Sequence, residues 1–352
     1  MEALVKFDKG PGNVVLMDVP EPRCGNTQVM LEVHCCGICG TDLHVYNDTF
    51  RNFPPVILGH EFAGTIVEVG AHVQGIDPNG SFAVLGATAV TCGLCQYCHN
   101  GQFMFCEKRR GMGHGVNGAF ARYVAVRPDQ LFKLPAKVTM QEGALVEPLA
   151  AAVHAVCDIA RFKLGDVVLL SGPGPIGLLC LKLLAAQGLK TIVAGTADDN
   201  VRLDNAQRYG AARIVKIDQD DLEAVIAEET GGKGVDLAIE CAGAAGSVRN
   251  CLQALRPLGH YVQVGHFGKD LSMPWDLVAF KQLTISGSVG YTRDTWHQTL
   301  RILEQGQLDV HEVVTHELPL ADWRLGFDLS EQKKAVKVLL YPNLPKPMNR
   351  DA

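Results

Sequence analysis

Four cysteines crowd into fifteen positions: Cys92, Cys95, Cys98 and, after seven intervening residues, Cys106. Thiolates are soft ligands, and a Cys-x-x-Cys step lets a tight turn aim two sulfurs at one ion. The spacing therefore fits a tetrahedral zinc about 2.3 Å from each sulfur. Four sulfurs leave no open position, so such a zinc is structural, and a lobe with no core of its own depends on it for shape. The competing readings are four unrelated buried thiols, a disulfide pair or a redox-sensing cluster. A second constellation is more dispersed. Cys39 opens the string Cys39-Gly-Thr41-Asp42-Leu-His44, His60 and Glu61 follow a glycine, and Glu147 precedes Pro148. A catalytic zinc takes about three protein ligands and keeps a fourth position for water or substrate. Cys39, His60 and a carboxylate supply that set, with Asp42 placed to orient the His60 imidazole. Taken singly, each residue has a plainer reading. A lone cysteine is usually a small buried hydrophobe, and Glu147 can be a carboxylate favoured at a helix N-terminus. Cys24, Cys35, Cys36, Cys157, Cys180, Cys241 and Cys251 are read as interior thiols, and His154, His260 and His311 as structural.

A third feature is the turn Gly172-Pro-Gly174-Pro175-Ile176-Gly177. It follows an apolar strand pattern and opens a helical one. There the first glycine makes the turn, the second admits a pyrophosphate and the third lets helix pack on strand. A plain strand-to-helix turn is the alternative. After the next strand come Asp198 and Arg202. An acidic residue near that strand end holds the ribose 2′-hydroxyl of NAD, whereas an arginine can face the 2′-phosphate of NADP. NAD is the first choice and NADP is not excluded.

The elements that must position these groups are of two kinds. Up to about residue 150, short β-type runs (Val14 to Met17, Val29 to Val33, Gly64 to Val69) alternate with glycine and proline turns, which suggests an irregular β-rich domain. From there a buried strand, Val167 to Ser171, is followed by a helix, Ile176 to Gln187. Apolar runs recur at Thr191 to Gly195, Arg213 to Lys216, Val235 to Glu240, Tyr261 to Val264 and Leu283 to Ser288, most separated by helical patterns. Six strands joined this way imply a parallel sheet with right-handed crossovers. After about residue 290 an amphipathic helix leads to β-type segments at Val313 and Val336, which are expected to return to the first domain. The expected division is 1–149 with 289–352, and 150–288. Arg293 and Tyr291 are candidates for contact with a polar substrate, or parts of a surface loop.

Composition narrows the classes. At 352 residues the chain has room for about two domains. With 47% apolar and 20% charged residues it is globular rather than disordered or fibrous. A net charge of −6 argues against nucleic acid or an anionic membrane as partner. The opening MEALVKFDKG has no apolar signal core, and no apolar run spans a bilayer. A cytoplasmic chain with reduced thiols is expected, with a loosely ordered proline-rich tail, PNLPKPMNRDA.

Together, GICGTD, GHE, the four-cysteine loop, EP and GPGPIG, in this order and spacing, resemble the zinc-dependent medium-chain alcohol and polyol dehydrogenases over almost the whole length. The glutamate at 147, where simple alcohol dehydrogenases carry cysteine, is similar to the sorbitol and threonine dehydrogenase branch. The resemblance implies an α/β fold, with a doubly wound Rossmann sheet and a GroES-like catalytic domain bearing a structural-zinc lobe. It implies two zinc ions per chain. Cys39 and His60, with Glu61 or Glu147 directly or through water, hold the catalytic one, and the four clustered cysteines hold the other. Thr41 receives the substrate's proton and His44 passes it to solvent. The dinucleotide is expected at Gly172, Gly174, Pro175, Ile176, Gly177, Asp198, Arg202, Val264, Gly265, Ser288 and Val289. The implied reaction is reversible oxidation of a secondary alcohol, a polyol first and threonine second, by a dimer or tetramer. A cofactor-binding protein that has lost catalysis is the alternative from another class, and the intact set of site residues speaks against it.

Overall fold

The computed structural model describes residues 1–268 and 270–344, so most of the tail falls outside the described residues. The chain divides into two units. One comprises Met1–Glu147 and the chain from Thr292 onward, the other Pro148–Tyr291.

The first unit opens with β1 (Glu2–Lys6), β2 (Val14–Asp18), β3 (Val29–Gly37), α1 (Gly40–Tyr46), β4 (Val56–Ile57) and β5 (Glu61–Val69). Then come β6 (Ser81–Val84), a four-residue helix α2 (Gln96–His99), β7 (Tyr123–Val126), β8 (Leu131–Lys133) and α3 (Met140–Val153). The strand expected at Val29 to Val33 runs on to Gly37. Glu32 and His34 alternate outward between buried Leu31, Val33 and Cys35, and from Cys35 to Gly37 the strand is buried on both faces.

The second unit holds β9 (Val167–Ser171), α4 (Pro175–Ala186), β10 (Lys190–Gly195), α5 (Asn200–Arg208), β11 (Arg213–Lys216) and α6 (Leu222–Thr230). It continues with β12 (Val235–Glu240), α7 (Ala245–Ala254), β13 (Leu255–Gln263), α8 (Trp275–Phe280) and β14 (Thr284–Gly287). Its six strands pair in parallel in the order β11-β10-β9-β12-β13-β14. This is the doubly wound order, reversing direction between β9 and β12. Leu169, Ile192, Val215, Ala238 and Tyr261 form its core. Strands covered on both faces read as continuous apolar runs, which is why the sequence betrays them.

The chain returns to the first unit through α9 (Arg293–Glu304), β15 (Val314–Pro319), α10 (Trp323–Glu331) and β16 (Lys337–Tyr341). The main sheet there runs β15-β16-β3-β5-β6-β8, with β7 also paired to β3. Its core includes Leu31, Cys36, Phe62, Phe82, Phe120, Val338 and Leu340. Among the described residues no helix is long and apolar enough to cross a membrane.

Candidate active site and metal centres

Strand register assembles the first site. β3 and β5 pair antiparallel with Gly37 opposite Glu61, and β16 lies on the other side of β3 with Leu339 opposite Gly37. Cys39 thus emerges two residues past the end of β3, beside His60 at the threshold of β5. The donor atoms of Cys39, His60 and Glu61 lie within 4.8 Å of one another. Gly37 leaves room for this. A Cβ there would come within 2.5 Å of Glu61 Oε2.

Asp42, buried in the first turn of α1, ties the cluster together. Its carboxylate accepts from Cys39 N at 2.9 Å and Gly59 N at 3.2 Å, and stands 3.7 Å from His60 Nδ1. That distance is electrostatic contact rather than a hydrogen bond, and the buried Nδ1 has no hydrogen-bond partner. Burial opposes the charged form of His60, but Asp42 and Cys39 outweigh it and hold the pKa well above its ordinary value. Burial, then the Glu61 charge, push the Cys39 thiol up. The donors thus form a pocket of negative potential in which a dication would replace the protons. One sulfur, one nitrogen and one carboxylate oxygen, with an orphaned ring nitrogen among them, fit a zinc ion.

Two features of this site were not read from the sequence. Lys337 on β16 donates to Glu61 Oε2 at 2.6 Å and to the Ile38 carbonyl at 3.0 Å, with both charged side chains 1% exposed. Burial alone would lower the Lys337 pKa; the charges of Glu61 and Cys39 raise it instead. The signal was a lone lysine inside the apolar run Val336-Lys-Val-Leu-Leu, since a buried charge requires a partner. His114, in a glycine-rich turn, is held down to about 4 by burial, with the positive charges of His60 and Arg109 acting the same way.

The other expected site residues fall as follows. Thr41 is half-buried in the first turn of α1 and His44 is exposed one turn later, so the two share a helix face. His44 Nδ1 lies 3.0 Å from Thr49 Oγ1. Glu147 is half-buried in α3, outside the group of three, and close enough to raise the Lys337 pKa. Arg293 is engaged within its own unit. It donates to the Asp129 carbonyl at 2.6 Å and lies 4.9 Å from the Phe132 ring centre, which anchors α9, while Tyr291 is buried.

The four clustered thiols are brought together. All lie within 4.8 Å of one another, Cys95 and Cys98 sulfurs at 3.5 Å and Cys92 and Cys98 at 3.9 Å. These are not bonded pairs; every cysteine of the chain is free. A tetrahedron of sulfurs around zinc has edges of about 3.8 Å, so the spacing fits the ion. Amide donors of Leu94 and Cys95 hold the Cys92 thiol down to about 6, while burial pushes Cys98 up to about 11.

In the second unit, Gly172 takes φ +100° and Gly177 packs so closely that a Cβ would meet the Gly172 carbonyl at 2.1 Å. Gly174 differs, because a Cβ there would meet nothing within 4 Å. Among the described residues no packing demands that glycine, and no side chain caps α4 above it. Open space facing unanswered amides is what a pyrophosphate needs. Pro175 and Ile176 begin α4. Asp198 is exposed on a short turn three residues beyond β10, and half-buried Arg202 lies in α5. The buried acid of that turn is Asp199, whose carboxylate accepts from Thr196 N at 3.0 Å and Thr196 Oγ1 at 2.8 Å. Val264 and Gly265 follow β13, their amides bonded to the Glu240 carbonyl at 2.9 Å, and Ser288 and Val289 follow β14. Glu240, unforeseen from sequence, is fully buried and accepts from Ala242 N, Gly243 N and Gln263 Nε2, which fixes the loop after β12.

Comparison with known proteins agrees with this architecture. The alcohol dehydrogenase GroES-like domain family matches residues 25–136, and the zinc-binding dehydrogenase family matches residues 175–305. A sorbitol dehydrogenase of Halalkalibacterium halodurans is 35% identical over 343 residues, 97% of this chain and 99% of the relative. A D-arabitol-phosphate dehydrogenase of Enterococcus avium is 33% identical over 345 residues, 97% and 98% of the two chains. The crystal structure of 2R,3R-butanediol dehydrogenase from Bacillus subtilis superposes with a TM-score of 0.87 at 31% identity, covering 97% of this chain and 99% of that one. The chain belongs to the zinc-dependent medium-chain alcohol and polyol dehydrogenase family.

Proposed function

We propose that the chain reversibly oxidises a secondary hydroxyl of a polyol or sugar alcohol to the ketone, with a nicotinamide dinucleotide as hydride acceptor. The convergence of Cys39, His60 and Glu61 beside Thr41 carries this reading. Cys39 Sγ, His60 and a carboxylate hold the catalytic zinc. Lys337 occupies one oxygen of Glu61, so Glu147 remains a candidate third ligand. A metal bound there would supply Lewis acidity that lowers the pKa of the alcohol hydroxyl. Thr41 Oγ1 then takes the proton. Thr49 Oγ1 donates to the His44 carbonyl at 3.3 Å, so it accepts from His44 Nδ1–H and leaves Nε2 basic. His44 Nε2 passes the proton to solvent.

The four thiols take a second, structural zinc, making two per chain. The dinucleotide lies along Gly172 to Gly177, with Val264, Gly265, Ser288 and Val289 toward its nicotinamide half and Asp198 and Arg202 toward its adenosine half. NAD is the first choice and NADP is admitted. Assembly as a dimer or tetramer is supported by β14, an edge strand with Ile285 exposed, and by exposed Trp275 and Phe280 on α8. The cytoplasm suits twelve unpaired thiols, and neither nucleic acid nor membrane is a partner.

The test is metal analysis under reducing conditions together with an assay panel of polyols, ketoses and threonine, each with NAD and NADP. About two zinc ions per chain and turnover of a polyol are expected. A zinc-replete protein that oxidises no secondary alcohol overturns the reading.

A further inference from the structure

One corner of the first unit carries positive charge and unanswered polar atoms that the steps above do not use. The chain between α1 and β4 runs Phe50-Arg51-Asn52-Phe53, and the turn from Arg110 to His114 lies against it. Phe53 N donates to the His114 carbonyl at 2.9 Å, and the Phe50 and His114 rings meet edge to face at 5.1 Å. The guanidinium groups of Arg51 and Arg110 both sit on the Phe53 ring, 4.9 and 4.4 Å from its centre. Both arginines are exposed, and neither has an acidic partner among the described residues. The acid of this loop, Asp48, is already engaged with Gly10 N, Asn52 Nδ2 and Lys9.

The corner adjoins the metal cluster through backbone contacts. Met112 N donates to the Gly86 carbonyl at 3.0 Å, and a Cβ on Gly86 would lie 2.8 Å from the His60 carbonyl. Gly113 packs on Gly59 in the same way, 2.9 Å from its amide. Among the described residues, Asn52 Oδ1 and His114 Nδ1 are both buried without a hydrogen-bond partner. The orphaned amide oxygen calls for a donor, such as a substrate hydroxyl, and the imidazole N–H for an acceptor, such as an anion's oxygen. Stacking on a ring uses the face of a guanidinium and leaves its N–H edges available, while limiting the rotamers it must give up on binding.

We propose that Arg51 and Arg110, clamped on Phe53 with Asn52 and His114 beside them, form a subsite for an anionic end of the alcohol substrate, a phosphate ester or a carboxylate. The proposal rests on Cys39, His60 and Glu61 being the alcohol site, and it narrows the substrate class from a neutral polyol to a polyol phosphate or sugar acid. The anion is held at the arginines while a hydroxyl further along the substrate reaches the Cys39–His60–Glu61 cluster.

Two measurements test it on the zinc-loaded protein. Steady-state kinetics compare D-sorbitol, D-sorbitol 6-phosphate and D-gluconate. Calorimetry follows inorganic phosphate alone. A charged substrate is expected to exceed the neutral one by about tenfold or more in kcat/KM, mostly through KM. Preference for the phosphate ester or for the acid identifies which anion the subsite takes. Arg51→Gln and Arg110→Gln collapse the charged-to-neutral ratio toward one, and Arg110→Lys recovers part of it. Phosphate binding that weakens in the glutamine variants supports the subsite even where no alcohol is oxidised, a result that would count against the dehydrogenase reading alone. Turnover of sorbitol that is indifferent to substrate charge, to added phosphate and to both arginines overturns the subsite and leaves the dehydrogenase reading standing.

Discussion

Two groups of candidate metal donors in the first unit are assembled on opposite plans. Cys92, Cys95, Cys98 and Cys106 come from one long loop between β6 and β7 whose regular structure is α2 and two three-residue 3₁₀ turns. Its Leu94, Tyr97 and Phe105 are exposed rather than gathered into a core. Cys39, His60 and Glu61 come from the ends of two central paired strands, and Asp42 and Lys337 answer their charges before any metal arrives. On the proposed reading a metal would organise the protein in the loop, whereas in the sheet the protein organises the site. Uniform ligands on irregular backbone suit a role in shape. Mixed ligands on rigid backbone suit a reactive position that must stay open.

The contrast can be broken most forcefully at the loop. Cys98→Ser is expected to forfeit most of the ~10 kcal/mol by which a structural zinc supports such a lobe. Limited proteolysis should then cut within residues 92–110, and a lobe that stays protected would show that the metal does not organise it. Cys39→Ala should do the reverse. Turnover falls about 10³-fold or more, while NAD binding and the thermal midpoint hold. A midpoint loss as large as that of Cys98→Ser would erase the distinction. Lys337→Met leaves Glu61 charged and alone in the sheet, at a cost of about 3–5 kcal/mol in urea denaturation, and Glu61→Gln in the same chain should restore part of it. The half-exposed Lys133–Asp77 pair, at 2.5 Å, serves as control, because its removal should barely move the midpoint.

The smallest effect concerns His114. Between its folded value of about 4 and the ordinary 6.5, the unfolded chain binds a proton that the folded chain refuses. Stability therefore falls as pH drops through that window, by about 3 kcal/mol at most. Urea midpoints at pH 7 and 4.5 should converge in His114→Gln; an unchanged slope would move the acid sensitivity to other groups, the lobe's thiols among them.

What the sequence discloses follows from how each region is buried. The inner parallel strands β9, β10 and β12 announce themselves because no residue of a doubly covered strand can be polar without cause. The candidate donor groups are legible because zinc chemistry restricts residue type and spacing. Lys337 is hidden because β16 is buried along its whole length, so period-two alternation offers no outward face to which a lysine could be assigned. Glu240 is masked the same way at the end of β12, where its partners are backbone amides that carry no residue signature. The turn from Arg110 to His114 has no period at all; only tertiary contact brings it beside His60.

The Glu61–Lys337 pair spans 276 residues, which gives it a meaning in time. At synthesis rates of about 5–20 residues per second, a nascent chain carries Glu61 for some tens of seconds before its counter-charge exists. During that interval burying the carboxylate in the sheet is penalised, so the first unit is held back from premature closure while the second unit emerges between its halves. A ribosome that stalls before β16 would leave a chain whose central strands resist sealing and stay open to quality control.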